Sequence, residues 1–333
     1  MNGLIDDFLS FKQHNGGRSE RTAQVYRLAL ERLVDFFGER DPLQAGHDEL
    51  LLFTGAWLHK RGLEPESRRT HVAAVREFYR WAKEQGHCRG NPAEGVPYPK
   101  RGRKLPRVMT LASAEKLMWA PDLSTFEGLR DATMMALLIG CGMRVSGLVR
   151  LNEGQIIQEV IDGRPRLVVK VIEKGEKERK LPVPPDADLL LRLYLEHPEL
   201  EEVDRLLPNG DKVLFITTRN RMCQPHEYSG ERRRFNRRTV LEMVAKYGKQ
   251  AGIPKDQLHP HAMRHLFGTE LAESDVDILT RQKLMGHADV KSTEIYTHLA
   301  MRKLTKDSDR ANPLAKMRTP MSDLLRRLDG DKS

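Results

Sequence analysis

Five short segments hold most of the chain's reactive side chains: GCGMRVSGLVRL at 140–151, IEKGEKERKLPVP at 172–184, HPHAMRH at 259–265, LMGHADV at 284–290 and STEIYTHL at 292–299. Together they supply guanidinium groups, an amine, imidazoles and one phenol, the set needed to open a phosphodiester without a metal. A phenol with a pKa near 10 can attack phosphorus and leave again as an aryloxide-like ester. The transition state gathers negative charge on the phosphoryl oxygens, which suits arginine because its planar fork pairs its hydrogen bonds and keeps its proton. A charge pair 4 Å apart at an effective dielectric of ~20 is worth about 4 kcal/mol, so two prearranged contacts supply a factor of thousands. Imidazole, titrating near neutral pH, can carry the proton.

Each segment also has an ordinary reading. Ile295 and Leu299 would make STEIYTHL a plain amphipathic helix, and EKGEK in isolation is a solvated hairpin in which Lys177 competes with Lys174. His259, His261 and His265 form HxHxxxH, which is not a familiar zinc spacing and has no cysteine or carboxylate cluster beside it, so no metal and no cofactor are expected. Cys88, Cys141 and Cys223 stand far apart without a CxxC pair, as buried thiols of a reducing compartment do.

The combination is more specific than its parts. His261-x-x-Arg264, then His287, then Tyr296 nine residues later, behind an arginine at 144 and a hairpin lysine at 174, resembles the tyrosine recombinase family of phage integrases and Xer-type enzymes. The resemblance covers nearly the whole chain, including NPAEGV and LPRVMT on either side of a basic stretch. It implies that Tyr296 is the nucleophile, Arg144 and Arg264 hold the scissile phosphate, and Lys174 protonates the departing 5′ oxygen. It further implies that His287 bonds the phosphate and that His261 takes the tyrosine proton or returns it. His265, one turn beyond His261, is expected to be a support. One position departs from the pattern: the family usually has Arg-x-Ser-Glu, whereas here Arg144-Val145-Ser146-Gly147 lacks the carboxylate, and Glu153 is a candidate replacement.

These residues need elements to position them. Residues 1–90 carry apolar residues at helical spacing: Leu4, Phe8 and Phe11; then Val25, Leu28, Ala29 and Leu33 behind a Ser19 cap; then 50–58; then Val72, Val75, Tyr79 and Ala82 in a segment opened by Ser67. Residues 96–110, VPYPKRGRKLPRVMT, are rich in proline and basic residues and read as a linker. Helices are expected at 113–120 and 129–139. A two-residue period over 156–183, with turns at Asp162-Gly163 and Lys174-Gly175, predicts three antiparallel strands. Helices resume at 186, at 232–250 and after Pro260. The expected class is α+β and mostly helical. With the resemblance, a helical core-binding domain (1–97) and a basic linker (98–110) lead to a catalytic domain (111–300) with a small sheet. A tail (301–333) follows, whose Leu324, Leu325 and Leu328 form a stripe behind a Ser322 or Asp323 cap. That stripe either docks on a neighbouring subunit or packs on its own domain.

The formal charge of +9 points to a polyanionic partner, and the longest apolar run, 132–143, falls short of the roughly 20 residues that span a bilayer. The acidic first residues, MNGLIDDFLS, argue against a secretory signal. Expected DNA contacts are Arg68, Arg69 and Arg76 beside His71; Lys100, Arg101, Arg103 and Lys104 of the linker; and Arg232, Arg233 and Arg237. The run at 230–238 is expected to open a helix, on which Arg232, Arg233, Arg234, Arg237 and Arg238 cannot all face one way, so some are simply solvated. The resemblance implies double-stranded DNA carrying a specific recombination site, a homotetramer on two sites, an optional accessory DNA-bending protein, and a cytoplasmic, nucleoid-associated enzyme with no membrane contact. Type IB topoisomerase-like relaxation and a non-catalytic DNA-binding regulator of the same fold are the rival readings.

Overall fold

The computed structural model describes residues 1–17, 19–100, 109–172, 178–218, 223–286 and 297–330. Helices dominate, with one three-stranded antiparallel sheet. The chain forms two compact units, Met1–Leu105 and Pro106–Ser333.

The first unit is built from α1 (Asn2–His14), α2 (Glu20–Phe37), α3 (His47–Leu52) and α4 (Pro65–Glu84). The Ser19 side chain accepts from Thr22 N and starts α2. α3 runs on through a π turn, Phe53–Trp57, into Leu58–Lys60; the Thr54 hydroxyl donates to Leu50 O (2.7 Å) inside that run. α4 starts at Pro65, two residues before the expected Ser67, because proline at the first helical position arrives with its φ already set. Phe8, Leu30, Leu33, Phe53, Val75, Phe78 and Tyr79 are buried together. His71 belongs to that interior and not to the exposed basic face on which it was expected. Its place one residue before Val72 and four before Val75 puts it on the inward side of α4.

The second unit contains α5 (Leu111–Met118), α6 (Phe126–Gly140) and α7 (Val145–Leu148), then β1 (Ile156–Ile161), β2 (Arg164–Ile172) and β3 (Glu178–Pro182). It continues with α8 (Pro185–Leu195), α9 (Arg237–Gln250), α10 (Pro260–Glu273), α11 (Ile278–Met285), α12 (Thr297–Ala311) and α13 (Pro320–Gly330). α6 is buried along nearly its whole length and forms the centre of the core. β1 and β2 are joined by Asp162 (φ 53°) and Gly163 (φ 74°), the paired positive φ of a tight hairpin. β2 pairs with β3 in a register that sets Val171 opposite Arg179. The second expected turn, Lys174-Gly175, lies outside the described residues.

Two expectations change here. The helix predicted from 232 begins at Arg237: Gly230–Arg233 is a single 3-10 turn, and Asn236 Oδ1 caps α9 by accepting from Thr239 N (2.9 Å). Arg234 is drawn out of any helix by bonds to Val149 O, Leu151 O and Asn152 Oδ1. The cap of α13 is Thr319 and not Ser322 or Asp323: Ser322 N donates to Thr319 Oγ1 (3.1 Å) while Thr319 N donates to Ser322 Oγ (2.8 Å). Within the chain α13 rests against α8, with Met321 buried and Trp119 Nε1 donating to Arg318 O. Among the described residues no helix is long and apolar enough to cross a membrane.

Candidate active site

The C-terminal end of α11 organises the site. An α-helix ends with carbonyls that have no partner in the helix and carry partial negative charge. At this end nearly every carbonyl is matched to a donor. Gly286, in the left-handed region at φ 60°, turns its N–H back to Gln282 O and Lys283 O. Arg179 Nη1 donates to Lys283 O (3.2 Å) and Leu284 O (2.9 Å). Arg264 Nη2 donates to Met285 O, and Arg144 Nη2 to Gly286 O (2.9 Å). Arginines from α10, β3 and the cap position of α7 thus converge on one helix terminus. Each such cation near a helix C-terminus gains about 0.3–1 kcal/mol, and up to ~2 when partly buried.

Arg264 is only 6% exposed, and a charge so placed is tolerated because its hydrogen-bond partners are built in. Its Nη1 donates to Gly142 O across from the Met285 carbonyl. Gly142 has φ +57°, and a Cβ there would lie 2.2 Å from Phe267 Cδ1. Only glycine lets this loop pass so close to α10 in that conformation. Phe267 in turn packs with Leu271, Val276, Leu284, Met285, Leu304 and Ala311, a small core that fixes α10, α11 and α12 together. The glycine, the arginine beside it in GCGMR and the arginine of HPHAMRH are therefore parts of one construction. Cys141 in the same loop is buried, which pushes its thiol up to about 12 and leaves it inert at neutral pH.

His261 lies on the first turn of α10, exposed, three residues before Arg264. Partial burial lowers its pKa, and the neighbouring His265, His259, Arg264 and Arg237 add to that shift. It is therefore a neutral imidazole at neutral pH, able to accept a proton. His259 caps α10, its Nδ1 accepting from Ala262 N (3.0 Å). Lys174, His287 and Tyr296 lie outside the described residues, so their side chains enter only through sequence position: His287 directly follows Gly286, and Tyr296 directly precedes α12.

Gly147 occupies α7, where an added Cβ would meet only ordinary contacts, at 3.6 Å from Val171 and 4.0 Å from Met143. No close contact explains the glycine. Glu153 does not substitute for the missing carboxylate: it pairs with Arg205 (2.5 Å), away from the helix end. Arg179 was missed by sequence reasoning, although a signal existed. In β3 it shares a face with buried Leu181, whereas Lys180 points the other way to pair with Glu159 (2.5 Å).

The expected DNA contacts divide. In the first unit Arg69 donates to Pro99 O (2.7 Å), and the guanidinium groups of Arg69 and Arg76 lie over the Tyr98 ring at 4.9 and 5.3 Å. Arg68 Nη1 reaches Gly55 O (3.4 Å), and Lys100 is exposed. Arg101, Arg103 and Lys104 lie outside the described residues. In the second unit Arg232 pairs with Glu227 (2.6 Å), Arg233 stacks on Tyr228 (3.8 Å) and Arg237 is exposed at the start of α9.

Residues 107–303 match the phage integrase family and residues 5–86 the N-terminal SAM-like domain of phage integrases. Tyrosine recombinase XerC of Proteus mirabilis is 33% identical over 317 residues, covering 94% of each chain. Tyrosine recombinase XerD of Listeria innocua serovar 6a is 31% identical over 308 residues, covering 91% of this chain and 96% of that protein. In fold, the chain is similar to the XerH site-specific recombinase bound to a palindromic difH substrate (TM-score 0.63, 18% identity, 85% of this chain and 78% of that one). It is also similar to a lambda integrase dimer bound to a COC′ core site (TM-score 0.62, 16% identity, 89% and 99%). The chain belongs to the phage integrase family and is an enzyme of the tyrosine recombinase type.

Proposed function

We propose that the protein is a site-specific recombinase of double-stranded DNA. Tyr296 Oη attacks the scissile phosphorus, the P–O5′ bond breaks, and a 3′-phosphotyrosyl strand and a 5′-hydroxyl strand result. His261 takes the phenolic proton and returns it on religation, Lys174 protonates the departing 5′ oxygen, and His287 bonds the phosphate. Arg144 and Arg264 neutralise the non-bridging oxygens. Their guanidinium planes are fixed beforehand by backbone carbonyls, so little reorganisation is needed when charge develops. Fixed cationic charge takes the place of a metal ion. Because one phosphodiester is exchanged for another, a 5′-hydroxyl from a second duplex can reverse the step without ATP. Two rounds of exchange between paired sites pass through a Holliday junction held by four protomers, with an accessory DNA-bending protein as a further partner.

The observation that carries this reading is that Arg144 and Arg264, far apart in sequence, reach consecutive carbonyls, Gly286 and Met285, immediately before His287. The relatives named tyrosine recombinases support it. A nicked suicide duplex, from which the strand beyond the cut diffuses away, should trap a denaturant-resistant protein–DNA adduct. Tyr296→Phe should abolish the adduct while DNA binding is retained. An adduct that persists in Tyr296→Phe removes Tyr296 from its role.

A further inference from the structure

We infer that Arg179 is a positioning residue for the phosphate-holding arginines; this rests on the function proposed above. The α11 terminus is shared. Arg144 and Arg264 hold its last two carbonyls, at 286 and 285, and Arg179 holds the two before them, at 284 and 283. α11 itself is short, from Ile278 to Met285, and its outer face is exposed at Ile278 and Leu279, so its own packing holds it only on one side. β3 offers the opposite: it is hydrogen-bonded to β2 along its length and anchored by buried Leu181. Arg179 transfers the rigidity of that sheet to the helix end. It does so from the core-facing side of the strand, a costly place for a charge that does nothing.

Removing Arg179 would let the α11 end shift, carrying with it the carbonyls that orient Arg144 and Arg264. A misplacement of about 1 Å costs on the order of a hundredfold in rate. The chain itself would still fold and bind DNA, since β3 keeps its pairing with β2 and its buried Leu181.

The test compares two suicide substrates in the full chain, one with a normal scissile phosphate and one with a methylphosphonate there. The methylphosphonate lacks one negative charge and so makes less demand on the arginines. Arg179→Ala should slow adduct formation about a hundredfold on the normal substrate, at unchanged DNA affinity. On the methylphosphonate the deficit should shrink to a few-fold, in parallel with Arg144→Ala and Arg264→Ala. Arg179→Lys, which keeps the charge but cannot bridge two carbonyls with a planar fork, should fall between wild type and Arg179→Ala. If Arg179→Ala does not fold, Arg179→Lys and Arg179→Gln carry the same comparison. A deficit of equal size on both substrates, or none on the normal one, overturns the positioning role. If Arg144→Ala and Arg264→Ala also keep their full deficits on the methylphosphonate, the phosphate-holding reading itself fails; if they are relieved and Arg179→Ala is not, only the role of Arg179 falls.

Discussion

The two units hold their arginines in different ways. In the second unit Arg144, Arg179 and Arg264 are set against backbone carbonyls at one helix terminus, and Arg264 is buried. In the first, Arg76 lies over the face of an exposed tyrosine, Tyr98, Arg69 shares that ring while also donating to Pro99 O, and Arg32 is held by an imidazole. Carbonyls cannot titrate, rotate or leave, so they suit charge that must be in place before a transition state forms. A ring face holds a guanidinium loosely and leaves its edge available, which suits charge that must follow an irregular phosphate backbone. Under the proposed function the same residue type serves rigidly for chemistry and flexibly for binding, and what differs is the partner.

The rigid half of this comparison breaks most severely at Gly142. Alanine there would need a positive φ and would drive its Cβ into the Phe267 ring. The left-handed conformation costs roughly 1–2 kcal/mol and overpacking about 1–3. Gly142→Ala should therefore lose roughly 2–5 kcal/mol of stability, and because its carbonyl orients Arg264 it should also slow adduct formation at saturating DNA. Denaturant titration alongside single-turnover cleavage checks both. Full stability combined with full activity would show that the loop and α10 can move apart, and the guanidinium would then not be rigidly held.

How much of this could be read beforehand depended on whether the cause was local. The inward stripe of α4, the Ser19 cap and the sheet with its Asp162-Gly163 turn follow from periodicity and turn chemistry within a few residues, whereas in α2 the expected Val25 and Leu28 are exposed and Ala23 and Leu30 are buried beside Ala29 and Leu33. Arg144 and Arg264 were legible as members of a motif, but the reason for their placement, one helix terminus offering successive carbonyls, is tertiary. Arg179 was hidden because EKGEKERK looks uniformly solvated; only the alternation with Leu181 distinguishes it from Lys180. Glu153 looked available because it is close in sequence to Gly147, but Arg205, which is far along the chain, claims it. Arg234 left its expected helix for the same kind of reason, drawn to three oxygens at 149–152.

The flexible half is sharpened by Tyr98. Exposed cation–π contacts are worth about 0.5–1 kcal/mol each, so Tyr98→Leu should weaken DNA binding a few-fold and leave cleavage at saturating DNA unchanged. Tyr98→Phe should be neutral, since the ring face remains. The salt dependence of binding should not change in either variant, because no cation is removed, whereas Arg69→Ala should lower the log–log salt slope by about 0.9. Binding isotherms at several salt concentrations separate these outcomes. A Tyr98→Leu variant with a reduced slope would mean that the ring holds the arginines on the phosphates outright, as rigidly as the carbonyls do.

The smallest expected effect comes from Arg32, whose partner is an imidazole that titrates near neutral pH. Arg32 Nη1 donates to His71 Nε2 (3.0 Å), so that nitrogen is the acceptor and Nδ1 carries the proton it donates to Ser67 O (2.8 Å). Burial, and then the Arg32 charge, lower the His71 pKa, partly opposed by the Ser67 bond. Between that lowered value and the unfolded value near 6.5, the unfolded chain binds more protons than the folded one. The His71 contribution to stability is therefore complete above about pH 6.5 and is lost as pH falls through the folded pKa. Amide exchange along α4 in the intact chain, corrected for intrinsic rates, should show protection falling between pH 7 and pH 5, and His71→Gln should flatten that dependence. Exchange around α11, where carbonyls hold the arginines, should show no matching change across the same interval. Parallel pH curves for wild type and His71→Gln would mean that protonated His71 finds another acceptor, and the imidazole would then hold Arg32 no more conditionally than a carbonyl does.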